Sequence, residues 1–414
     1  MEYGLIGEKL GHSFSKEIHT LLADYDYTLC EIPKGDLDEF LTKRAFRAVN
    51  VTIPYKQAVI PYLTEISPEA KEIGAVNTVV NREGKLYGYN TDFYGICAAL
   101  AKMGVTSLAG KKALILGTGG TSLTARAALR SLGAASILRV SRTPREEDTV
   151  SYEDALAHHT DAAVIFNTTP VGMYPNADAS PISLDAFPAL SCVFDAVYNP
   201  LRTRLVQDAL ARGIPASGGL YMLVAQAFRA AEIFLDKSLS SAALSNTYKR
   251  ILRSKENVVL IGMPASGKTT AGRALARELN RELIDLDAAL VADAGRDIPT
   301  IFREDGEARF RDLEAETVAK YAAKTGLIIA TGGGVVLRSE NVARLKQNGR
   351  LFFLDRDLDS LYPTADRPTA STREAIEARY RERLPLYLAA ADVTVKPNGY
   401  LPDTIAQIKK ELFS

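Results

Sequence analysis

The chain has 414 residues, of which 47% are hydrophobic and 24% charged, and its 50 Lys and Arg residues match its 50 Asp and Glu residues. At roughly 150 residues per domain this length predicts about three folding units, and zero formal net charge argues against bulk binding of nucleic acid. Residues 1–7 contain no basic segment before an apolar stretch, so we expect no secretory or organellar signal. Three cysteines and four histidines without metal-type spacing predict a cytoplasmic protein without structural zinc.

Polar clusters follow or end several apolar strand patterns in the N-terminal region. They are Gly11-His-Ser13-Phe-Ser15, Asn50-Val-Thr52-Ile-Pro-Tyr-Lys56, Gly74-Ala-Val-Asn77-Thr and Asn90-Thr-Asp92. Turn formation and helix capping explain any single cluster better than binding does. Together, their short donors and acceptors suit a polyhydroxylated substrate. A lysine such as Lys56, held beside a carboxylate such as Asp92, could give a proton to a carbonyl oxygen.

A strand, a glycine turn and a helix start follow at residues 113–125. Gly117 would permit the tight turn, Gly119 would let the backbone approach a pyrophosphate, and Ala125 would allow close packing of helix on sheet. The displaced third small residue makes this a weak variant of the dinucleotide fingerprint. Short strands alternating with helical patterns predict parallel α/β sheets throughout this region.

The next strand ends in Ser141-Arg-Thr-Pro-Arg145, without the acidic residue that would accept the ribose 2′-hydroxyl of NAD. Arg142 and Arg145 suit the 2′-phosphate of NADP instead, although either could be ordinary loop charge. We therefore predict NADP as the cofactor.

Residues 1 to about 250 resemble the shikimate dehydrogenase family, also through Asn167-Thr-Thr-Pro-Val-Gly-Met, Asp195-Ala-Val-Tyr-Asn-Pro and Gly219-Leu-Tyr-Met-Leu-Val-Ala-Gln226. The resemblance implies that Lys56 and Asp92 form the catalytic pair. It also implies substrate contacts from Ser13, Ser15, Thr52, Lys56, Asn77, Asp92, Tyr198 and Gln226. The implied NADP-binding residues are Gly117, Gly119, Gly120, Ser141, Arg142, Arg145, Thr168, Gly219 and Met222.

A change of composition marks the end of this region. The apolar segment 220–235 contains Gln226, Arg229 and Glu232, so it predicts a buried helix of a soluble protein rather than a membrane span. A polar stretch, residues 236–257, follows. A new strand then begins, and we place a separate domain from about residue 256.

The strongest single motif lies in this last domain. Residues 262–269, Gly-Met-Pro-Ala-Ser-Gly-Lys-Thr, fit the P-loop and lie between a strand and a helix predicted at 270–279. Backbone N–H groups there would hold phosphate oxygens, Lys268 would neutralise their charge, and Thr269 could ligate Mg²⁺.

Two acidic residues, Asp285 and Asp287, end the next predicted strand. The period of two in a strand predicts that both carboxylates share one face and that Leu286 is buried on the other. One could then hold Mg²⁺ through water while the other takes a proton from an attacking hydroxyl. Alternatively, Asp287 caps a helix beginning at Ala288.

Residues 256–414 resemble the shikimate kinase family, through the P-loop and Asp-x-Asp together with Gly306-Glu-Ala-Arg-Phe-Arg-Asp-Leu-Glu, Thr331-Gly-Gly-Gly, Asp366-Arg-Pro and Arg383-Leu-Pro-Leu-Tyr. The implied ATP-binding residues are Gly262, Ala265, Ser266, Gly267, Lys268, Thr269, Thr270 and Arg367 of a short lid. Lys268 and Asp287 would be catalytic, and Thr269 and Asp285 would hold the metal. The implied substrate-binding residues are Asp287, Phe302, Arg311, Gly332, Gly333, Gly334 and Arg383. On residue pattern alone, Arg311 could equally pair with Glu307 on a solvated helix face.

We therefore predict a bifunctional α/β enzyme of the shikimate pathway with no nucleic-acid or membrane partner. NADPH would reduce 3-dehydroshikimate to shikimate, which ATP and Mg²⁺ would then phosphorylate. The predicted domains are a substrate domain (1–97, completed by about 236–250), a Rossmann-like NADP domain (98–235) and a P-loop kinase domain with a lid (256–414). Alternatives are a quinate/shikimate-type dehydrogenase with a kinase for another hydroxy acid, or a non-catalytic metabolite sensor.

Overall fold

The structure, a computed structural model, describes residues 1–11, 13–360 and 373–413. The chain divides into two compact units, Met1–Leu252 and Arg253–Ser414. The sequence places this change at about residue 256, a few residues later. Of the described residues, none belong to a helix long and apolar enough to cross a membrane.

The first unit opens with a mixed sheet that gathers the N-terminal polar clusters at one edge. Its strands, in the spatial order β2-β1-β3-β5-β6-β4, are β1 (Tyr3–Gly7), β2 (Tyr27–Glu31), β3 (Ala48–Val51), β4 (Glu65–Ile66), β5 (Thr78–Arg82) and β6 (Lys85–Tyr89). Strands β1 and β3 are parallel, whereas β5 is antiparallel to both β3 and β6. The ends of β1, β3 and β6 therefore meet the start of β5, and the polar residues follow or precede these ends.

The second sheet of this unit is parallel. Its strands, in the order β12-β11-β10-β7-β8-β9, are β7 (Lys112–Leu116), β8 (Ser136–Val140), β9 (Thr149–Val150), β10 (Val164–Asn167), β11 (Cys192–Asp195) and β12 (Ala216–Ser217). The chain order reverses between β7 and β10, which is the place where open α/β sheets bind their ligands. This order agrees with the predicted Rossmann-like arrangement.

Helices cover both sheets of the first unit. They are α1 (Ser15–Leu22), α2 (Leu37–Lys43), α3 (Pro68–Ile73), α4 (Thr91–Lys102), α5 (Gly120–Ser131), α6 (Tyr152–His158), α7 (Arg204–Ala211), α8 (Leu220–Leu235) and α9 (Ser241–Lys255), with 3-10 turns at Lys34–Asp36, Ile60–Tyr62 and Leu184–Ala186. Helix α8 has the bounds that the apolar segment predicts, and most of its residues are buried.

Helix α9 occupies most of the polar stretch after α8. One row of its side chains, Leu244, Thr247 and Ile251, is buried, and its two apolar members pack in the cluster that contains α8 residues. The change from the first unit to the second, between Leu252 and Arg253, falls inside this helix.

The second unit contains a parallel sheet in the order β14-β15-β13-β16-β17. Its strands are β13 (Asn257–Ile261), β14 (Leu283–Asp285), β15 (Ile328–Ala330), β16 (Gly349–Leu354) and β17 (Val393–Val395). Its helices are α10 (Lys268–Leu279), α11 (Leu286–Ala294), α12 (Ile298–Glu304), α13 (Gly306–Ala322), α14 (Ser339–Asn348), α15 (Arg373–Ala390) and α16 (Leu401–Phe413), with 3-10 turns at Val335–Leu337 and Leu358–Ser360. The central strand β13 leads into the P-loop, so the predicted strand–loop–helix context is present.

The prediction that Asp285 and Asp287 share one face of a strand is wrong. Strand β14 ends at Asp285, whose carboxylate accepts the N–H of Ala288 and so caps α11. Asp287 consequently lies in the first turn of that helix. The alternative prediction, a cap by Asp287, is also wrong, because the helix begins at Leu286. Local capping by Asp285 overrides the strand periodicity here.

Candidate active sites

The first site has an ion pair at its centre. Lys56 lies in the turn after β3 and Asp92 in the first turn of α4, which Asn90 caps by accepting the N–H of Phe93 at 3.2 Å. Lys56 Nζ donates to Asp92 Oδ2 at 2.6 Å, and the two side chains are only 18% and 10% exposed. The structure thus brings the predicted pair together in a largely dehydrated position, where a lysine stays oriented by its partner.

Asn77 and Gln226 meet through a threonine. The side-chain oxygen of Asn77 accepts the N–H of Thr91 at 2.7 Å, while its amide donates to Thr91 Oγ1 at 3.1 Å. Thr91 Oγ1 also lies 3.3 Å from Gln226 Oε1, to which it can donate, and Gln226 Nε2 donates to the carbonyl of Leu223 at 2.9 Å. Thr91 was not predicted from the sequence, although the need of two buried amides for partners could have revealed it.

Ser13 and Ser15 form a second pair at the start of α1. Ser13 Oγ donates to Ser15 Oγ at 3.0 Å and accepts the N–H of Ser15 at 3.2 Å. Phe14, between them, packs against the ring of Tyr198 with centroids 5.3 Å apart, so Tyr198 lies close to the serine pair. Burial raises the pKa of Tyr198. Thr52 directly follows β3, its N–H donating to the carbonyl of Ile6 at 2.9 Å.

A buried polar layer lies behind these residues. Tyr27 donates its hydroxyl to Asn50 Oδ1 at 2.7 Å, and Asn50 Nδ2 donates to Thr78 Oγ1 at 3.1 Å. Thr78 in turn donates to the side-chain oxygen of Asn77 at 3.1 Å. His19 stacks on Tyr27 with ring centroids 4.0 Å apart, and its complete burial lowers its pKa to about 3. The substrate-side amide of Asn77 is therefore fixed from behind as well as by Thr91.

The glycine turn after β7 lies where the order of the second sheet reverses. Gly117 has φ +105°, and a methyl group on it would lie 2.9 Å from Thr168 Oγ1, which donates to the carbonyl of Leu116 at 2.7 Å. Only glycine fits this conformation and contact. Gly119 and Gly120 at the start of α5 face open space, as close approach of a pyrophosphate would need. Ala125 is buried, as predicted for helix–sheet packing.

Two other predicted cofactor residues begin α8. Gly219 precedes the first turn of this helix and approaches the carbonyl of Ala196, and Met222 is buried in the same turn. Gly219 and Met222 lie in the same unit as the glycine turn. Among the described residues, no hydrogen bond joins either of them to that turn.

The loop after β8 presents two exposed arginines, Arg142 and Arg145, without an ion pair in the described part of the chain. Ser141 Oγ accepts the N–H of Thr143 at 3.2 Å. Behind the loop, the almost fully buried Arg139 pairs with Glu146 and Asp148, and Arg126 reaches Asp148 at 2.8 Å. These ion pairs fix both ends of the loop and leave Arg142 free for an anion.

A buried amide–carboxylate pair joins the ends of β10 and β11. Asn167 Nδ2 donates to Asp195 Oδ1 at 2.9 Å, and Asp195 also accepts from Val197 N–H and Thr203 Oγ1. Burial raises the pKa of Asp195 to about 6. Because Thr168 follows Asn167 and Tyr198 follows Val197, the pair fixes one predicted cofactor residue and one predicted substrate residue relative to each other.

In the second unit, the lysine of the P-loop forms hydrogen bonds to backbone carbonyls of the same loop. Lys268 Nζ donates to the carbonyls of Gly262 and Met263 at 2.9 and 2.8 Å, and the residue is 7% exposed. Ala265 has φ +63°, Gly267 ends the loop and Thr270 lies in the first turn of α10. Ser266 Oγ is buried and has no hydrogen-bond partner among the described residues.

Thr269 and Asp285, the two predicted metal ligands, are adjacent. Thr269 Oγ1 donates to Asp285 Oδ2 at 2.7 Å. A hydroxyl and a carboxylate are oxygen donors of the kind that Mg²⁺ prefers, with water and phosphate completing its shell. The residues present therefore fit this ion, although the described residues contain no group of three or more His, Cys, Asp or Glu side chains that could hold a metal.

The run Gly332-Gly-Gly334 after β15 carries acids at one end and arginines at the other. A methyl group on Gly332 would lie 2.6 Å from Asp287 Oδ1 and 3.2 Å from Glu314 Oε1, and one on Gly334 would overlap the guanidinium of Arg311. Arg383 Nη1 donates to the carbonyl of Gly333 at 3.0 Å. A side chain at Gly332 or Gly334 would therefore displace the end of Asp287 or of Arg311 from its present position.

Arg311 is not on a solvated helix face. Its side chain is 12% exposed, and it reaches Glu314 at 2.9 Å as well as Glu307 at 3.2 Å. Glu314 is a site residue that was not predicted from the sequence. Its position three residues after Arg311 was the available signal. Burial raises the pKa of Glu314 against the opposing effect of Arg311, and its Oε1 has no partner among the described residues.

The last two predicted residues of this unit are Phe302 and Arg367. Phe302 is half-buried and packs against Phe310 with centroids 4.7 Å apart, and Arg311 lies over the other ring, 5.1 Å from its centroid. The ring of Phe310 thus contacts both Phe302 and Arg311. Arg367 of the predicted lid lies outside the described residues.

Comparison with known proteins gives a family match for each of the two units. The family model "Shikimate dehydrogenase substrate binding domain" matches residues 5–79. Over 262 residues the chain is 38% identical to the shikimate dehydrogenase (NADP(+)) of Clostridium beijerinckii, covering 59% of this chain and 96% of that protein. The chain belongs to the shikimate dehydrogenase family. A second family model, shikimate kinase, matches residues 264–412.

Solved structures resemble the first unit. A chorismate mutase/shikimate 5-dehydrogenase fusion protein from Clostridium acetobutylicum is 36% identical with a TM-score of 0.57, over 60% of this chain and 96% of that one. The shikimate 5-dehydrogenase of Thermus thermophilus in complex with NADP(H) and shikimate is 33% identical with a TM-score of 0.54, over 60% and 99%.

Both predicted resemblances and the α/β class are confirmed by these matches. The chain is a bifunctional enzyme that joins a shikimate dehydrogenase to a shikimate kinase domain. The predicted cofactors NADP(H), ATP and Mg²⁺ agree with these two families. We call Met1–Leu252 the dehydrogenase unit and the part from Arg253 onward the kinase unit.

Proposed function

We propose that the dehydrogenase unit reduces 3-dehydroshikimate to shikimate with NADPH, and that the kinase unit transfers a phosphoryl group from ATP to the 3-hydroxyl of shikimate. The product of the first reaction is then the substrate of the second. The observation that carries the first reaction is the largely dehydrated ion pair of Lys56 and Asp92, and the second reaction is supported by the P-loop with Thr269 bonded to Asp285. A reduction of a ketone needs a proton donor of this kind at the carbonyl oxygen.

In the reduction, Lys56 gives its proton to the carbonyl oxygen while Asp92 holds the amine in position by its hydrogen bond. NADPH, when bound, supplies the hydride that arrives at the carbonyl carbon, so that hydride and proton together make the alcohol. The side chains proposed to hold the substrate hydroxyls and carboxylate are those of Ser13, Ser15, Thr52, Asn77, Tyr198 and Gln226. Ser13 and Ser15 bond to each other, and Asn77 and Gln226 both contact Thr91, so these four side chains have defined positions before the substrate arrives.

The proposed cofactor residues are Gly117, Gly119, Gly120, Ser141, Arg142, Arg145, Thr168, Gly219 and Met222. The N-terminus of α5, with open space at both of its glycines, suits a pyrophosphate. Arg142 supports NADP over NAD, because an exposed guanidinium without an ion-pair partner in the described chain can bind a 2′-phosphate.

In the phosphorylation, Asp287 accepts the proton of the substrate hydroxyl, and Lys268 neutralises charge that develops on the phosphates. ATP with Mg²⁺ supplies the phosphoryl group, and the residues that would hold the ion are Thr269 and Asp285. Lys268 Nζ donates to the carbonyls of Gly262 and Met263, which hold the ammonium group at the loop where the phosphates would bind. The three free cysteines support the cytoplasm as the compartment.

One reaction mixture tests this proposal. The full chain receives 3-dehydroshikimate, NADPH and MgATP, and mass spectrometry identifies the products. Shikimate followed by shikimate 3-phosphate is the expected result. Parallel mixtures contain 3-dehydroquinate, or shikimate without NADPH. Faster reduction of 3-dehydroquinate, or a phosphorylated product only from another hydroxy acid, would contradict the proposed substrates.

A further inference from the structure

Helix α15 carries a second arginine one turn before Arg383. Arg379 and Arg383 are four residues apart and therefore share one face of the helix. Arg383 donates from Nη1 to the carbonyl of Gly333, but its Nε is buried without a hydrogen-bond partner among the described residues. Nη1 of Arg379 is also buried and has no hydrogen-bond partner among the described residues. Two buried guanidinium N–H groups are thus unused.

The charges around Arg379 identify its surroundings. Burial lowers the pKa of Arg379, as do Arg383 and Arg311, whereas Glu307 and Glu382 oppose this effect. Both glutamates are exposed, and Glu307 is bonded to Arg311. Neither satisfies the buried N–H of Arg379. A cationic donor that is buried without an acceptor is costly, so this arrangement suits an anion that arrives as a ligand.

The distribution of charge along the glycine run decides which part of a ligand comes here. Asp287 and Glu314 approach Gly332, and such carboxylates favour hydroxyl groups and repel anions. The guanidiniums of Arg311 and Arg383 approach Gly334 and Gly333. A polyol with one carboxylate therefore binds with its hydroxyls at the acidic end and its carboxylate at the arginine end.

We propose that Arg379 is a further substrate-binding residue of the kinase unit, which contacts the carboxylate of a polyhydroxylated carboxylic acid together with Arg383. This proposal rests on the proposed kinase reaction and deepens it. The two oxygens of a carboxylate can accept the two unused N–H groups, from Arg379 Nη1 and Arg383 Nε. Arg379 thereby selects acids over neutral polyols of the same shape.

The test uses Arg379→Leu, Arg379→Lys and the matched control Arg381→Leu in the full chain. Arg381 lies on the same helix, but its side chain is 80% exposed and reaches Glu377 only at 3.9 Å. The measurements are kcat, the KM for shikimate at saturating MgATP and the KM for ATP at saturating shikimate. For Arg379→Leu we expect the KM for shikimate to rise by about tenfold or more, the scale of a hydrogen bond to a charged group, with kcat and the KM for ATP nearly unchanged. Arg379→Lys should recover part of the affinity, and Arg381→Leu should match the wild type.

A shikimate analogue with a neutral carboxamide completes a double cycle. In the wild type, the KM for this analogue should be higher than the KM for shikimate. In Arg379→Leu, the two KM values should differ much less. An unchanged KM for shikimate in both Arg379 variants would overturn the proposal, as would a rise confined to the KM for ATP. If the Leu variant does not fold, as judged by circular dichroism, the Lys variant decides by the same two constants. Failure of the wild type to phosphorylate shikimate would instead refute the proposed kinase reaction, and the proposal about Arg379 with it.

Discussion

The two units prepare their polar groups for substrate in different ways. In the dehydrogenase unit several predicted substrate side chains already have hydrogen-bond partners, as Lys56 has in Asp92, Ser13 in Ser15 and Asn77 in Thr91. In the kinase unit several groups beside the glycine run and the P-loop have no partner among the described residues, and they are Ser266 Oγ, Glu314 Oε1, Arg379 Nη1 and Arg383 Nε.

This difference indicates what the ligands contribute. A site whose donors and acceptors are satisfied internally keeps its geometry without substrate, and it exchanges these hydrogen bonds for similar ones when substrate binds. A site with unused buried donors is completed by its ligands, which then stabilise the folded unit by an amount that grows with the logarithm of ligand concentration above the Kd. We therefore expect ligands to raise the stability of the kinase unit more than that of the dehydrogenase unit.

The largest expected effect separates the two chemistries. Lys56→Ala removes the proton donor and should lower kcat for reduction of 3-dehydroshikimate by about 10²–10⁴-fold, with phosphorylation of added shikimate within about twofold of the wild type. Lys268→Ala should give the mirror result. Both half-reactions are assayed in both variants. A comparable loss of both activities in either variant would show that the two sites do not act independently.

A smaller effect tests Glu314, the buried partner of Arg311. Glu314→Gln keeps the shape but removes the charge that holds the guanidinium at 2.9 Å. We expect kcat/KM for shikimate phosphorylation to fall by about 10–100-fold, the scale of a hydrogen bond between charged groups. The control is Glu307→Gln, since Glu307 bonds to the same arginine with a side chain that is 60% exposed. Equal losses in the two variants would remove the special role of the buried carboxylate.

The stability of the two units should respond differently to acid. The unfolded chain protonates His19 below pH 6.5, whereas burial holds the pKa in the folded unit at about 3. Acidification therefore favours the unfolded state, and between pH 7 and pH 5 this single group should cost the dehydrogenase unit about 2 kcal/mol. The kinase unit has no histidine. Denaturant unfolding across this pH range measures the slope.

The His19→Gln variant should show a flatter dependence of the unfolding free energy on pH, whatever its absolute stability. His158→Gln provides the control, because His158 is exposed on α6. A slope unchanged by His19→Gln would mean that another group causes the acid response.

The smallest expected effect concerns the cofactor. Arg142→Ala should weaken NADP by about tenfold and leave NAD nearly unaffected, because only NADP carries the 2′-phosphate that a guanidinium binds. The ratio of kcat/KM for the two cofactors measures this change. The neighbouring Arg145→Ala provides a comparison on the same exposed loop. Were the ratio unaffected in both variants, the basis for cofactor choice would lie elsewhere in the site.

Residue patterns predicted much of this architecture. Helix α8 has its predicted bounds, and the P-loop lies between a strand and a helix as its motif requires. The mistake at Asp285 and Asp287 has a local cause, since a side chain that caps a helix ends the alternation of a strand. Periodicity alone cannot say which of two nearby acids takes that position.

The site residues that were missed share a different cause. Thr91 contacts Gln226, which lies far away in the sequence. Glu314 matters because it is buried, which the sequence does not reveal. Both residues lie inside motifs quoted from the sequence. Resemblance to a family, however, gave no role to either of them. Burial and hydrogen bonding, which decide these roles, follow from tertiary contacts.

Helix α9 contributes residues to both units of the chain. Its buried row, Leu244, Thr247 and Ile251, belongs to the dehydrogenase core. In the kinase unit, Arg281 donates to the carbonyl of Arg253, near the C-terminal end of α9, and to the carbonyl of Glu256, just after that helix. A fragment of either unit therefore needs its own part of α9. The dehydrogenase unit would lose buried side chains without the first part of the helix, and a kinase unit that began after Glu256 would lose two carbonyl acceptors of Arg281.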